Sequence, residues 1–152
     1  MPETDLARLC LEASRSLSSE LTEELSERGY EDVRPGYAAV FMNIDRRSGT
    51  RLTELAKRAR MSKQGMMLLI DEMESRGYVR RVPDLEDARA KVVRLTALGR
   101  RYVAEARHVV SVIESRIRRE LGWRQYAALR DALESIIGIE EEEEEEAAEL
   151  LY

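Results

Sequence analysis

One stretch, Leu52 to Leu95, restricts the folds open to this chain more than any other: LTELAKRARMSKQGMMLLIDEMESRGYVRRVPDLEDARAKVVRL. Thr53 can cap a short helix whose inner face carries Leu55, Ala56 and Ala59. Ser62 can cap a second, with Met66, Leu69, Ile70 and Met73 at the i, i+3, i+4, i+7 spacing of a buried stripe. Gly77, free to take positive φ, is a stop for that helix. Val79–Val82 and Val92–Leu95, rich in β-branched residues, then read as two arms of a hairpin around the charged loop Asp84 to Ala90. Thr50 and Arg51 are placed to add a short edge strand. Helix, turn, helix and hairpin in this order describe a winged helix-turn-helix, an arrangement suited to duplex DNA.

The flanks are helical. Leu6, Leu9, Cys10, Ala13, Leu17, Leu21 and Leu25 recur at three- and four-residue steps, which predicts one amphipathic helix over 5–28, ended by Gly29. Pro35 can open another through Tyr37, Val40, Phe41 and Ile44. Past Thr96, a cap, the apolar positions Val103, Ala106, Val110, Ile113 and Ile117 predict a long helix to Leu121, roughly 36 Å at 1.5 Å per residue. A last helix, 124–137, turns Tyr126, Leu129, Leu133 and Ile136 inward. The expected fold is mainly α with a small β-wing. An N-terminal dimerisation helix (1–34) precedes the winged lobe (35–95), and C-terminal dimerisation helices (96–138) and an acidic tail (139–152) follow it. The long helix reaches beyond what one small lobe can cover. A two-fold homodimer with interleaved terminal helices is the economical way to bury the apolar stripes.

Charge argues in two directions. The whole chain carries −5, yet Arg46 to Arg94 hold 13 Lys/Arg against 7 Asp/Glu, and the acids concentrate at the ends, seven of them in the run Glu140 to Glu146. A basic middle supplies the local field that phosphate binding needs. The tail reads as a solubilising, self-repelling block. Apolar runs such as Met66 to Ile70 are too short to span a bilayer, and the acidic start Met-Pro-Glu-Thr-Asp is no export signal. A cytoplasmic protein is expected. The single cysteine precludes an internal disulfide. One cysteine and one histidine without ligand-spaced partners make no typical metal site, and neither a nucleophilic triad nor a glycine-rich phosphate loop is present. No cofactor and no enzyme activity are expected.

The wing Asp84-Leu85-Glu86-Asp87-Ala88-Arg89-Ala90-Lys91, followed by Val93-Arg94-Leu95-Thr96 and Gly99, resembles the DNA-binding core of the MarR family of bacterial transcription regulators, as does the helix pair before it. The resemblance implies a homodimeric repressor on a pseudo-palindromic operator, with recognition helices in successive major grooves. It also implies, as in many relatives, release by a small aromatic or phenolic effector held between the terminal helices and the winged lobe. Tyr37, Phe41, Met42, Met67 and His108 are placed to line such a crevice, or to serve as ordinary core.

For base readout the outward first turns of the second helix offer Ser62, Lys63, Gln64 and Met67. Gln suits the adenine edge, Lys the guanine edge and an apolar side chain the thymine methyl. A hairpin can deliver Arg89 into a narrow minor groove, and the resemblance gives that arginine this role and Asp87 that of steadying the wing. Arg80, Arg81, Lys91 and Arg94 suit phosphate contacts, or ion pairs with Asp84 and Glu86. In some members of the family a cysteine early in the first helix senses peroxide. Cys10 occupies such a place, but Ser14 and Glu24 stand where activating tyrosines are expected, and a core thiol is the simpler role. Two alternatives stand beside the repressor: a winged-helix protein-interaction module without DNA binding, and a peroxide-sensing repressor acting through Cys10.

Overall fold

The computed structural model describes the backbone of residues 5–149 and the side chains of residues 5–138. The chain divides into two compact units at Val110/Ser111. The first holds α1 (Leu6–Glu27), a 3-10 turn (Pro35–Tyr37), α2 (Ala38–Phe41), β1 (Thr50–Arg51), α3 (Leu52–Arg58), α4 (Lys63–Ser75), β2 (Val79–Pro83) and β3 (Lys91–Leu95). It also holds the first part of α5 (Ala97–Leu121).

The three strands lie in the order β1-β3-β2, all antiparallel. In the hairpin Val79 faces Leu95 and Arg81 faces Val93, and the edge strand sets Thr50 against Val93. The inward positions on this lobe are Val40, Leu55, Met66, Ile70, Met73, Val79 and Val93, all buried. Removing each from water contributes about 1.5–3 kcal/mol. An aromatic cluster adjoins them: Phe41 and Tyr102 lie 4.6 Å apart by ring centroids, with Tyr30, Tyr37 and Tyr78 packed edge-on around them. Two of its phenols reach polar partners. Tyr37 donates to Glu72 Oε1 (3.0 Å) and Tyr78 to Asp32 Oδ1 (2.7 Å). Both are thereby tied across elements, Tyr37 to α4 and Tyr78 to the segment after α1.

Three helices end by one device. At α1, α3 and α4 the N–H two positions past the C-cap returns to the carbonyl five residues back: Tyr30 to Leu25, Met61 to Ala56 and Tyr78 to Met73. The left-handed residue this requires is Gly29 (φ 94°) and Gly77 (φ 81°) in two cases, but Arg60 (φ 51°) in the third. A non-glycine there costs roughly 1–2 kcal/mol. No glycine marks the end of α3, so of the two sides of this turn only the Ser62 cap of α4 has a local signal in the sequence.

Several expectations need correction. Thr53 does not cap α3: Arg51 is the capping position, without a side-chain bond, and Thr53 lies inside the helix. The helix expected from Pro35 to Ile44 is a 3-10 turn followed by only four α-helical residues. Asp45 Oδ1 accepts from the N–H groups of Arg47 and Ser48 (2.8 Å each), which gives the chain a turn in place of further helix. Of the α1 stripe only Leu25 is buried; Leu6, Leu9 and Leu17 are exposed.

The second unit comprises the remainder of α5 and α6 (Trp123–Glu149), separated by Gly122 at φ 79°. The last helix thus starts a residue earlier than expected and continues well past Ile137. The side chains of the glutamate run assigned to the tail lie outside the described residues. On α6 Leu129, Leu133 and Ile136, predicted to point inward, are exposed in the single chain.

Candidate nucleic-acid interface

The second helix of the motif, α4, begins at Ser62, whose Oγ accepts from the Gly65 N–H at 3.0 Å. A β-carbon at Gly65 would stand 3.0 Å from that hydroxyl and 3.7 Å from the Met61 methyl, a tight fit for any larger residue.

Lys63, Gln64 and Met67 are exposed on α4, opposite or beside the buried Met66, Ile70 and Met73. The sequence reading missed two residues of the same outward face. Leu68 and Asp71 follow Gln64 at i+4 and i+7, and both are exposed. Their positions on the helical wheel were legible.

The wing is braced from within. Asp84 Oδ2 receives Nε (2.9 Å) and Nη2 (2.7 Å) of Arg51, while Asp84 Oδ1 accepts from the Glu86 N–H (3.0 Å). The backbone bond first, then the guanidinium, holds this carboxyl below its ordinary value. Asp87 Oδ1 accepts from the Arg89 N–H at 3.1 Å, and the Asp87 carbonyl accepts from Ala90 N–H at 2.9 Å. Asp87 therefore holds the backbone of the loop, and Arg89 is exposed with its guanidinium in no ion pair among the described residues. Lys63, Arg80 and Lys91 are likewise exposed and outside any such pair.

Arg81 differs from its expectation. Its guanidinium pairs with Asp71 Oδ1 (Nη2, 2.5 Å) and Glu74 Oε2 (Nη1, 2.5 Å), and its backbone N–H donates to Glu74 Oε1 (2.8 Å). Its side chain is only 24% exposed. It joins the wing strand β2 to α4, and its carboxylate partners are Asp71 and Glu74, not Asp84 or Glu86. Arg94, half-buried, also has a partner within the chain, donating to the Arg47 carbonyl at 2.5 Å.

The five residues expected to line a ligand crevice do not form one. Tyr37 and Phe41 are buried in the aromatic cluster, while Met42 is 83% exposed and Met67 and His108 lie on outer helix faces. A different small cleft, about 80 Å³, is lined by Leu21, Leu25, Tyr30, Arg34, Pro35 and Tyr102 among others. Cys10 is a free, half-buried thiol on α1. Among the described residues no cluster of His, Cys, Asp or Glu could hold a metal ion, and no helix is long and apolar enough to cross a membrane.

The sequence profile of the MarR family matches residues 31–90. No curated protein matches the chain in sequence. Among solved structures, the reduced form of MarR from E. coli has a TM-score of 0.73 at 22% identity, covering 90% of this chain and 98% of that one. The transcriptional repressor CouR bound to p-coumaroyl-CoA also scores 0.73, at 23% identity, with 90% and 96% covered. CouR bound to a 23-mer DNA duplex scores 0.68, at 24% identity, with 89% and 91% covered. These three share the fold.

Proposed function

We propose that the chain is a sequence-specific DNA-binding transcriptional regulator of MarR type, a reading supported by the match of that family's profile to residues 31–90. It acts as a homodimeric repressor on a pseudo-palindromic operator. The observation that carries this reading is the pairing of a capped, outward-facing α4 start (Ser62, Lys63, Gln64) with a wing whose internal bonds leave Arg89 unpaired. In this reading α4 enters the major groove, Arg89 the adjacent minor groove, and Arg80 and Lys91 contact phosphates. The apolar side chains left exposed on α1 and on α6 support the dimer, since faces of this kind are ordinarily covered by a second chain.

Ligand release is the finer part of the proposal. CouR has been seen with p-coumaroyl-CoA bound. Here the cleft beside Tyr30 and Arg34 is about 80 Å³, well below the roughly 300–1,000 Å³ of sites for drug-sized ligands. An effector held in this cleft would have to be small, or widen it on entry; broader, more open hollows of about 440 and 740 Å³ lie beside Thr50 and Asp84 and along α1. By widening the cleft, a ligand would favour one conformation of the lobe over another and so shift operator affinity.

The test is fluorescence anisotropy with duplexes selected from the host genome, titrated across a salt series. A phosphate-binding dimer loses affinity along a log–log line whose slope is about −0.9 per phosphate neutralised. Binding that ignores salt, or no enrichment of any duplex, would overturn the reading in favour of a protein-interaction module.

A further inference from the structure

The crest of the recognition helix is apolar. On α4 the outermost line runs Gln64, Leu68, Asp71, Ser75, all exposed, and Leu68 at 62% exposure is its most prominent large side chain. Met67, 44% exposed, stands next to it. Of the acids that follow Leu68 on α4, Asp71 is held by Arg81 at 2.5 Å, and Glu72 pairs with Arg34 (3.1 Å) and Arg76 (3.3 Å). The sequence leading into the crest is basic: from Leu55 to Ile70 it has Lys57, Arg58, Arg60 and Lys63 and no carboxylate, with Arg58 paired to Glu54. An exposed apolar crest whose neighbouring acids are paired is complementary to a polyanion that carries apolar groups in its groove.

Resting on the DNA-binding reading above, we infer that Leu68, with Met67 beside it, is a specificity-determining residue that reads thymine C5-methyl groups in the major groove. The C5-methyl is the single apolar feature that base edges present there, and neither Leu nor Met can donate to the guanine edge. Sequence information from the middle of α4 is then carried by methyl contact, while Gln64 and Lys63 supply hydrogen bonds at its start.

The experiment selects bound duplexes from a random-sequence pool with the full-length protein and aligns the half-sites. The best duplex is then resynthesised with deoxyuridine for thymidine, position by position. At one or two thymines per half-site, loss of the methyl is expected to weaken binding about fourfold each, the value of one buried methyl-sized group. Leu68→Ala is expected to lose that sensitivity at one of those positions while binding the deoxyuridine duplex as wild type does. Its thermal melt should be unchanged, because the side chain is on the surface. Equal affinity for thymidine and deoxyuridine duplexes would overturn the inference and leave DNA binding intact. The same holds if Leu68→Ala keeps full discrimination, or changes oligomeric mass alone, which would assign the crest to a protein contact. Failure of the pool to enrich would remove the DNA-binding reading itself, and this inference with it.

Discussion

Gly99 lies so close against Tyr78 that a β-carbon on it would meet the Tyr78 carbonyl oxygen at 2.1 Å. The contact joins the first turn of α5 to the start of the wing. Thr96 completes the joint: its N–H donates to the same carbonyl (3.1 Å), its Oγ1 donates to the Gly77 carbonyl (2.5 Å) and accepts from the Gly99 N–H (3.1 Å). Leu-Thr-x-x-Gly is thus a packing motif in which threonine caps and glycine clears space. Gly99→Ala should destabilise the lobe by about 1–3 kcal/mol, the usual cost of forcing one methyl into a filled site. A urea midpoint that falls at constant slope would bear this out; an unchanged midpoint would mean that the two segments are free to separate.

Arg81 predicts a different kind of loss. With Asp71 about half exposed, the pair lies between a surface bridge and a buried one. Arg81→Ala should cost about 1–2 kcal/mol of stability, discounted from the buried limit for solvent screening. It should also weaken DNA binding, because Asp71 and Glu74 are left without their cation beside the duplex. Neutralising those carboxylates as well, in Arg81→Ala/Asp71→Asn/Glu74→Gln, should restore most of the affinity. A triple variant as weak as the single one would show that the guanidinium itself contacts DNA.

What was legible in the sequence follows from the range of each interaction. The Ser62 cap, the Gly77 stop, the strand pair and the Thr96–Gly99 exit act within a few residues, and the order of residue types is enough to read them. Arg81 looked like one more basic residue on a hairpin because its partners sit seven and ten positions back on another element. Arg51 and Asp84 are 33 positions apart and meet only once β1 joins the sheet. Arg60 takes a left-handed turn that composition gives to glycine, and packing of α3 on α4 outweighs the preference. For Tyr37 and Phe41 residue type leaves crevice lining and ordinary core both open; ring-on-ring packing with Tyr78 and Tyr102 makes them core within this chain.

The same cluster sets an alkaline limit. Burial first, and the bond to Glu72 second, push Tyr37 from 10.0 to about 12; burial and Asp32 push Tyr78 higher still, and burial raises Tyr102. A phenol whose folded value is raised contributes stability that is complete below its unfolded value near 10 and is lost as pH climbs through the folded one. Stability measured by urea should therefore be flat to about pH 10 and fall between 10 and 12, with phenolate absorbance appearing cooperatively. Tyr37→Phe should make that fall shallower. A gradual absorbance rise centred on 10, with no loss of stability, would mean that these rings are open to water.

Arg89 gives the most direct test of the wing. Asp87 holds the loop through the Arg89 backbone N–H and not through its side chain. Truncation of that side chain should therefore leave the wing's bonds in place. Arg89→Ala should melt within about 0.5 kcal/mol of wild type, as surface changes do, yet lose about 1–3 kcal/mol at the operator. Asp87→Asn keeps an acceptor for the Arg89 N–H and should be nearly silent, whereas Asp87→Ala should weaken binding by freeing the loop. Arg89→Lys separates charge from shape: a lysine retains the phosphate attraction but is a poorer fit to a narrow groove, so it should recover only part of the loss. Equal affinity of Arg89→Ala and wild type on the selected duplex would exclude the minor-groove role, and full rescue by lysine would reduce it to a phosphate contact.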